Sequence, residues 1–502
     1  MNRLSLIASA LLATACGADA IPAPRGVLLI SVDSLRADHV TSYGYKSSTQ
    51  PQIDTMPIVH RRLASDGTLF TNASSTTSWT LPSHMAMLTG LPNELHRVRE
   101  IGYQLDPEQP LLAEQFFKAG WRTAGFWSGP NLDPWFGFER GFELYADCST
   151  SRAGDEGSVF AIKDGMSVKQ VTATKTELKE IHDGSHVGIT GYKTVAAFEE
   201  WFAEIEDTEK FFAFVHMWDV HYDYTPPPEF DVFDPDYRGT IDGVNIDDQS
   251  KNRNPPSARD VEHVIALYDG EIRFTDSNIG KLLDQIDQRG RLDSTLVVFT
   301  SDHGEEFLEH GNFGHGNTLF EEVTHIPLIL RYPPGVPAGA QDDALVSLVD
   351  IAPTILDYCQ LPVPPNTWGS SLQAVMNGEV APRLLPLERS FVIPDGNRIK
   401  LDEMRGVRAE DFKLIRDTDG AGGKTYFYDL ENDPKELTPQ LTGQVGKGDP
   451  RIMQARLFWQ GLDRAAKQFK AQLGELPEDL EGRLDDFGYM GDDEPEDAPK
   501  DE

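Results

Sequence analysis

Gly26-Val27-Leu28-Leu29-Ile30-Ser31-Val32 is an unbroken apolar, β-branched-rich run that stops at Asp33. A strand buried on both faces of a parallel sheet reads this way, because helices cover both sides and no polar alternation is required. The same plan recurs along the chain. A helix from about Leu111 to Lys118 precedes Thr123-Ala124-Gly125-Phe126, and one from about Val195 to Ile205 precedes Phe211-Phe212-Ala213-Phe214-Val215. The longest helical pattern runs from about Ala258 to Gln288, with Val261, Ile265, Leu267, Ile272, Ile279, Leu282, Leu283 and Ile286 on one stripe. It leads into Leu296-Val297-Val298-Phe299-Thr300, and a further buried run follows at Pro327-Leu328-Ile329-Leu330. This alternation predicts a mostly parallel α/β sheet whose ligands lie beyond the carboxyl ends of its strands.

Past about Leu372 the pattern changes to short, polar-flanked strands such as Phe412-Lys413-Leu414-Ile415 and Tyr426-Phe427-Tyr428-Asp429-Leu430, followed by a helix from about Ile452 to Leu473. The expected organisation is a catalytic domain over 24–375, a small α+β subdomain over 376–475 and an acidic tail over 476–502. From Gly491 onward the tail has seven acidic residues and one lysine, too little apolar surface to order itself.

The 502 residues hold 45 Lys and Arg against 81 Asp and Glu, a net charge of -36, so the mean field repels nucleic acid and anionic headgroups. An anionic substrate then needs a local island of positive charge, which a bound divalent cation supplies most simply. Residues 1–20 read as an export signal: Arg3 precedes the apolar stretch Leu4 to Ala15, too short to span a bilayer, and Ala13-Thr14-Ala15-Cys16 resembles a lipoprotein cleavage box. The expectation is a periplasmic or cell-surface protein attached to the membrane through lipidated Cys16, with ordinary cleavage near Ala18-Asp19-Ala20 as the alternative. Cys148 and Cys359 are the remaining cysteines, and pairing or free thiols are both open. Composition leaves the oligomeric state undetermined.

Strand ends present Asp33, the Asp302-His303 pair and the Asp219/His221 pair, while Thr80 opens a loop-to-helix stretch, Ser78-Trp79-Thr80-Leu81-Pro82-Ser83-His84. Carboxylate, imidazole and hydroxyl together make a mixed oxygen and nitrogen site for a divalent metal.

Val32-Asp33-Ser34-Leu35-Arg36-Ala37-Asp38 and Thr80-Leu81-Pro82-Ser83-His84-Met85-Ala86-Met87-Leu88-Thr89-Gly90 resemble the N-terminal motifs of the sulfatase family of the alkaline-phosphatase superfamily. His216-Met217-Trp218-Asp219-Val220-His221, Thr300-Ser301-Asp302-His303-Gly304-Glu305, Phe313-Gly314-His315-Gly316 and Tyr428-Asp429-Leu430 continue the resemblance in order. It implies a large mixed, mostly parallel sheet sandwiched by helices and a smaller C-terminal sheet packed by a helix. It also implies Asp33, Asp302 and His303 as metal ligands, with Thr80 as a nucleophile that touches the metal.

The departures carry the chemistry. Thr80 stands where a sulfatase has the cysteine or serine that becomes formylglycine, and His84 stands where the conversion motif has arginine. Threonine cannot give that aldehyde, because oxidation at a methyl-bearing carbon stops at a ketone; no formylglycine is expected. Threonine-bearing members of the superfamily form a phospho-threonine, so phosphoester hydrolysis or transfer is the leading expectation. A sulfuric ester hydrolase without formylglycine and an inactive surface binding protein are the alternatives. Ser34 replaces a metal-binding Asp of many sulfatases, which favours Mn²⁺ or Zn²⁺ over Ca²⁺. Asp219 and His221 complete a second metal site with His315, or His221 acts as an acid to the leaving oxygen. His84 bonds the Thr80 loop or the transferred group; His315 and Asn131 contact substrate; His216 is read as structural.

Overall fold

The computed structural model describes residues 21–149, 160–161, 190–244, 256–395, 398–417, 423–445 and 448–486. The export signal with Cys16 and most of the stretch between Asp147 and His186 lie outside them.

The principal strands of the large sheet are β1 (Gly26–Val32), β2 (Thr68–Ser74), β3 (Arg122–Trp127), β4 (Leu144–Asp147), β5 (Phe211–Met217), β6 (Thr295–Ser301) and β7 (His325–Arg331). They lie in the order β2-β7-β6-β1-β5-β3-β4, with short strands at 340–342, 346–347 and 160–161 along the margins. Strands β6, β1, β5, β3 and β4 are mutually parallel, whereas β7 runs antiparallel to both β6 and β2. The sheet is therefore mixed and mostly parallel, as expected. Every residue of β1, β5 and β6 is buried, which is why these segments show no polar alternation.

Register matters more than strand count. Val32 lies level with both Met217 and Ser301, so Asp33 and Asp302 emerge side by side at the same end of the sheet. Helices α1 (Thr80–Thr89), α2 (Leu112–Lys118), α3 (Gly191–Ala203), α4 (Ala258–Gln288) and α5 (Ile351–Tyr358) cover the two faces. Helix α4 starts at a reciprocal cap: Asp260 N–H donates to Ser257 Oγ at 3.3 Å, and Ser257 N–H donates to Asp260 Oδ2 at 3.0 Å. Its stripe of Leu267, Ile272, Ile279, Leu282, Leu283 and Ile286 is buried with β1 and β5 residues in one core cluster.

The C-terminal unit is an antiparallel sheet of β8 (Leu385–Asp395), β9 (Arg398–Arg408), β10 (Phe412–Asp417), β11 (Thr425–Asp429) and residues 440–441. Helix α6 (Pro450–Ala466) packs Ile452, Ala455 and Trp459 on Val407, Phe412, Leu414 and Phe427. This helix is shorter than its periodicity suggests, because residues 472–473 leave it to pair with 103–104. Lys413 ties the unit to the large domain: its fully buried Nζ lies 2.7 Å from Glu321 and 3.0 Å from Glu436 and donates to the Leu319 carbonyl at 2.9 Å.

One expectation changes and one open alternative closes. Residues 478–486, assigned from composition to an unfolded tail, form helix α7 (Glu478–Asp486). Leu480 and Leu484 are buried in the main core, and Arg483 pairs with Asp133 and lies 3.6 Å from Asp147. Two leucines four residues apart make an apolar stripe that average acidity conceals. Cys148 and Cys359 are both free and buried. No helix of the described residues is long and apolar enough to cross a membrane.

Truncating Leu484 to alanine should lower stability by about 2–4 kcal/mol in urea unfolding, as for other buried leucines. An unchanged midpoint would show that α7 is not docked in solution.

Candidate active site

Thr80 is the first residue of α1, and its hydroxyl points back over the ends of β1 and β6. Thr80 Oγ1 lies 3.3 Å from Asp33 Oδ2 and 3.3 Å from His303 Nε2, and all three residues are fully buried. One ligand atom each from Asp33, Asp302 and His303 falls within 4.8 Å of the others, the sole such group of three or more among the described residues. A divalent cation fits this donor set. His303 Nδ1–H donates to the Gly304 carbonyl at 2.9 Å, which leaves the lone pair on Nε2, 3.3 Å from Asp302 Oδ2. Asp302 Oδ1 accepts from the amides of His303 at 2.8 Å and Ser34 at 3.2 Å, whereas its buried Oδ2 has no hydrogen-bond partner.

Burial by itself raises Asp33, but the contact from His216 and the nearby rings of His221 and His303 outweigh it and hold the carboxyl well below its usual range. Asp302 moves the opposite way, raised by burial and then by the charge of Asp33. Burial, reinforced by His315, pushes His303 down to about 3. With the His303 ring driven towards its neutral form, a cation is the group that would let both carboxyls ionise together.

Ser34 does more than stand in for a missing aspartate. At a positive φ of 54° its hydroxyl donates to Asp33 Oδ1 at 2.7 Å and lies 3.5 Å from His315 Nδ1. His315 Nδ1–H also donates to Glu305 Oε1 at 3.0 Å, and Glu305 Oε2 accepts from the Tyr224 hydroxyl at 2.8 Å. Glu305 thus orients His315, a role its place in the motif did not reveal. His216 is a second omission: its Nε2 sits 3.4 Å from Asp33 Oδ2, where strand pairing sets it opposite Ser31. The available signal was a single polar side chain in an otherwise apolar, wholly buried strand.

Other expected residues separate by position. His84 is fully buried under Thr80: its Nδ1–H donates to the Thr80 carbonyl at 2.9 Å, and its Nε2 accepts from Ser31 Oγ at 2.9 Å. Although Asp302 Oδ2 is 3.6 Å away, burial keeps the ring well below its ordinary pKa, so this is not an ion pair. With both nitrogens engaged, His84 bonds the Thr80 backbone, the first of its two expected roles. Asp219 also departs from expectation. Its Oδ1 accepts the Thr190 and Gly191 amides at 2.7 and 2.9 Å, capping α3, and it is not in the metal cluster. The carboxylate is occupied with unpaired helix amides from 28 or 29 residues upstream.

His221 forms one wall. Its ring stacks on Trp218 at 4.0 Å, lies 4.9 Å from the His315 ring, and its Nδ1–H donates to the Tyr222 carbonyl at 2.6 Å. His315 in turn lies 4.4 Å from the His303 ring, close to the centre but outside the three-residue cluster. Behind Trp218 runs the loop after β3. Gly129, at a φ of 83°, is so close that a Cβ would sit 2.3 Å from the Trp218 ring. Two residues on, Asn131 is fully buried with both amide atoms lacking partners among the described residues, the state of a side chain awaiting a polar ligand. Helix α7 packs against this Pro130–Leu132 turn from below.

The model of the family described as Sulfatase matches residues 25–361, and that of the N-sulphoglucosamine sulphohydrolase C-terminal region matches 308–448. An N-acetylglucosamine-6-O-sulfatase of Bacteroides thetaiotaomicron is 34% identical over 210 residues, 40% of this chain and 36% of that protein. The chain thus spans about a third of the length of that curated relative. Among solved structures, BT4656 in complex with its substrate D-glucosamine-2-N,6-O-disulfate superposes with a TM-score of 0.65 at 21% identity, over 89% of this chain and 99% of that one. The phosphonate monoester hydrolase of Agrobacterium radiobacter gives 0.62 at 24%, over 91% and 98%. At these identities the superpositions show the fold alone. The family model spans well over half of the sequence, and with Asp33, Thr80, Asp302 and His303 gathered at one end of the expected sheet, the chain belongs to the sulfatase family.

Proposed function

We propose that this protein is a metal-dependent hydrolase of anionic esters, exported from the cytoplasm, that works through a covalent ester on Thr80. The observation that carries the reading is the buried hydroxyl of Thr80 at 3.3 Å from both Asp33 and His303. A divalent cation held by Asp33, Asp302 and His303 would lower the hydroxyl's pKa and offset charge on the transferred group. The mixed donor set favours Mn²⁺ or Zn²⁺.

The chain's own groups supply the remaining steps. Thr80 Oγ1 attacks the central phosphorus or sulfur; its bond to that atom forms as the bond to the leaving alcohol oxygen breaks, and the proton that Thr80 gives up leaves on the alcohol. Water then attacks the same central atom and Thr80 regains its hydroxyl. His221, with Nδ1–H spent on the Tyr222 carbonyl, keeps Nε2 as its basic nitrogen. Burial first, and the neighbouring rings of His315 and His303 after it, hold this ring well below its ordinary pKa. It is suited to take the proton of the attacking water. Asn131 and His315 are the proposed contacts to substrate.

For the transferred group two observations pull apart. The family model and the curated relatives are named for sulfatases, and they weigh towards a sulfuric ester more than towards a phosphate. Thr80 weighs the other way, because without an aldehyde hydrate the intermediate must be released by water attacking the central atom. Phosphorus tolerates that route readily, and the likeness in fold to a phosphonate monoester hydrolase is in keeping with it.

Matched aryl sulfate, phosphomonoester and phosphodiester substrates, assayed with metal-reconstituted protein, test both levels. The Thr80→Ala protein should lose at least about 10³-fold in kcat on whichever ester is turned over. Full activity in that variant would remove Thr80 as nucleophile, and the ratio of sulfate to phosphate turnover selects between the esters. Asp302→Asn should abolish stoichiometric Mn²⁺ or Zn²⁺ retention in metal analysis after gel filtration; unchanged metal content would place the ion elsewhere. Gly129→Ala should displace Trp218 and with it the His221 wall, lowering kcat by about 10-fold to 100-fold. Wild-type kcat in that variant would detach this wall from the chemistry.

A further inference from the structure

On the far side of the C-terminal hairpin from Thr80 lies a cavity of about 360 Å³ between the short helix Asn93–His96 and the end of α6. Arg97, Arg99, Arg405 and Lys467 line it together with Glu94, Glu403 and Asp463, so basic groups are in slight excess here although the chain as a whole carries -36. Arg99 pairs with Glu388 and lies 3.4 Å from Glu403; Arg405 lies 2.9 Å from Asp463 and 3.6 Å from Glu94. Arg97 has no acidic partner among the described residues, and its Nε is buried without an acceptor.

The backbone makes this unpaired arginine more telling. Arg97 ends the short helix with its N–H on the Asn93 carbonyl at 3.1 Å and a φ of 69°, a left-handed position where glycine or asparagine is the usual choice. An arginine there is strained where glycine would not be, and no ion pair of its own offsets that. Its field is felt locally: His96, buried first of all and then beside Arg99 and Arg97, is pushed down to about 3. Converging guanidinium groups with one fork unengaged are suited to a tetrahedral oxyanion. Phe469 and Ala466, on the same wall, offer an apolar face to a ring that carries it.

We propose that this cleft is a second anion-binding site, in which Arg97, with Arg99, Arg405 and Lys467 around it, receives a sulfate or phosphate group. Its place relative to the catalytic centre is set by two consecutive residues of β8. Glu388 faces Arg99 at the cleft, whereas Arg389 Nε–H donates to the Gly316 carbonyl at 2.7 Å, next to His315. Strand β8 thus touches both sites, and the second charged group of a polyanionic substrate is one source of the ligand, a free inorganic oxyanion the other. Only the former rests on the esterase reading above.

The test uses the full-length protein treated with chelator, which removes the contribution of the catalytic metal. It is titrated calorimetrically with sodium phosphate and with sodium sulfate, alongside Arg97→Gly and Arg97→Gln. Glycine suits the left-handed backbone, so Arg97→Gly should melt no lower than the wild type, and weaker binding in it cannot be blamed on lost folding. The expected result is one oxyanion bound by the chelated wild type, with affinity at least about tenfold weaker in both variants. Unchanged affinity in Arg97→Gly, or no binding by the chelated wild type, overturns the proposal. Esters carrying one and two anionic groups separate the sources. A KM raised about tenfold in Arg97→Gly for the doubly charged ester alone, at unchanged kcat, assigns the cleft to substrate. Equal KM values beside lost oxyanion binding assign it to the free ion. Should no ester be turned over, the calorimetry still decides the cleft and only the esterase reading fails.

Discussion

Asp33 and Asp302 leave the ends of neighbouring parallel strands at the same level, and both are fully buried. Ligand oxygens of the two carboxyls lie within 4.8 Å of each other, and two like charges at that range repel by about 3 kcal/mol at an effective dielectric constant near 20, so burial together with this repulsion raises Asp302. The surroundings answer that repulsion in layers. Amides of Ser34 and His303 bind one oxygen of Asp302, the Ser34 hydroxyl binds Asp33, and His303 turns its lone pair inward. What remains uncompensated is the buried Oδ2 of Asp302, and that is the vacancy in charge that a divalent cation fills.

The strongest readings of the sequence concerned groups whose position follows from strand ends. Buried apolar runs mark β1 and β6 without ambiguity, and the first polar residue after each is a ligand of the cluster. Thr80 was legible because a distinctive run surrounds it. Roles that depend on a partner far away in sequence were not. Asp219 looks like a ligand from its spacing to His221, but it caps a helix that begins upstream of β5. Glu305 looks like ordinary motif, yet it holds His315, and His216 looks like strand interior, yet it touches Asp33.

The C-terminal hairpin shows the same limit on a larger scale. Pro386, Pro394 and a run of charged residues hide β8 and β9 from any pattern of alternating apolar positions. Their pairing is long and regular nonetheless, and β8 docks its Glu388 amide on the Thr76 carbonyl, four residues before Thr80. Tertiary contact, not local preference, defines this element. The acidic end of the chain behaves alike, since Leu480 and Leu484 order α7 against the Asn131 turn in spite of its composition.

The two buried thiols have a consequence for the chain's sulfur chemistry. Burial first, and the carboxylate of Asp147 after it, push Cys148 up to about 12, and burial drives Cys359 in the same direction. Neither forms thiolate near neutral pH, so neither is a nucleophile towards alkylating reagents, nor a candidate for exchange with external disulfides, while the fold is intact. The sequence holds three cysteines. With Cys16 lipidated or removed on export, as its sequence context leads one to expect, a thiol that reacts with a labelling reagent is a direct count of molecules whose sheet has opened around Cys148 or Cys359.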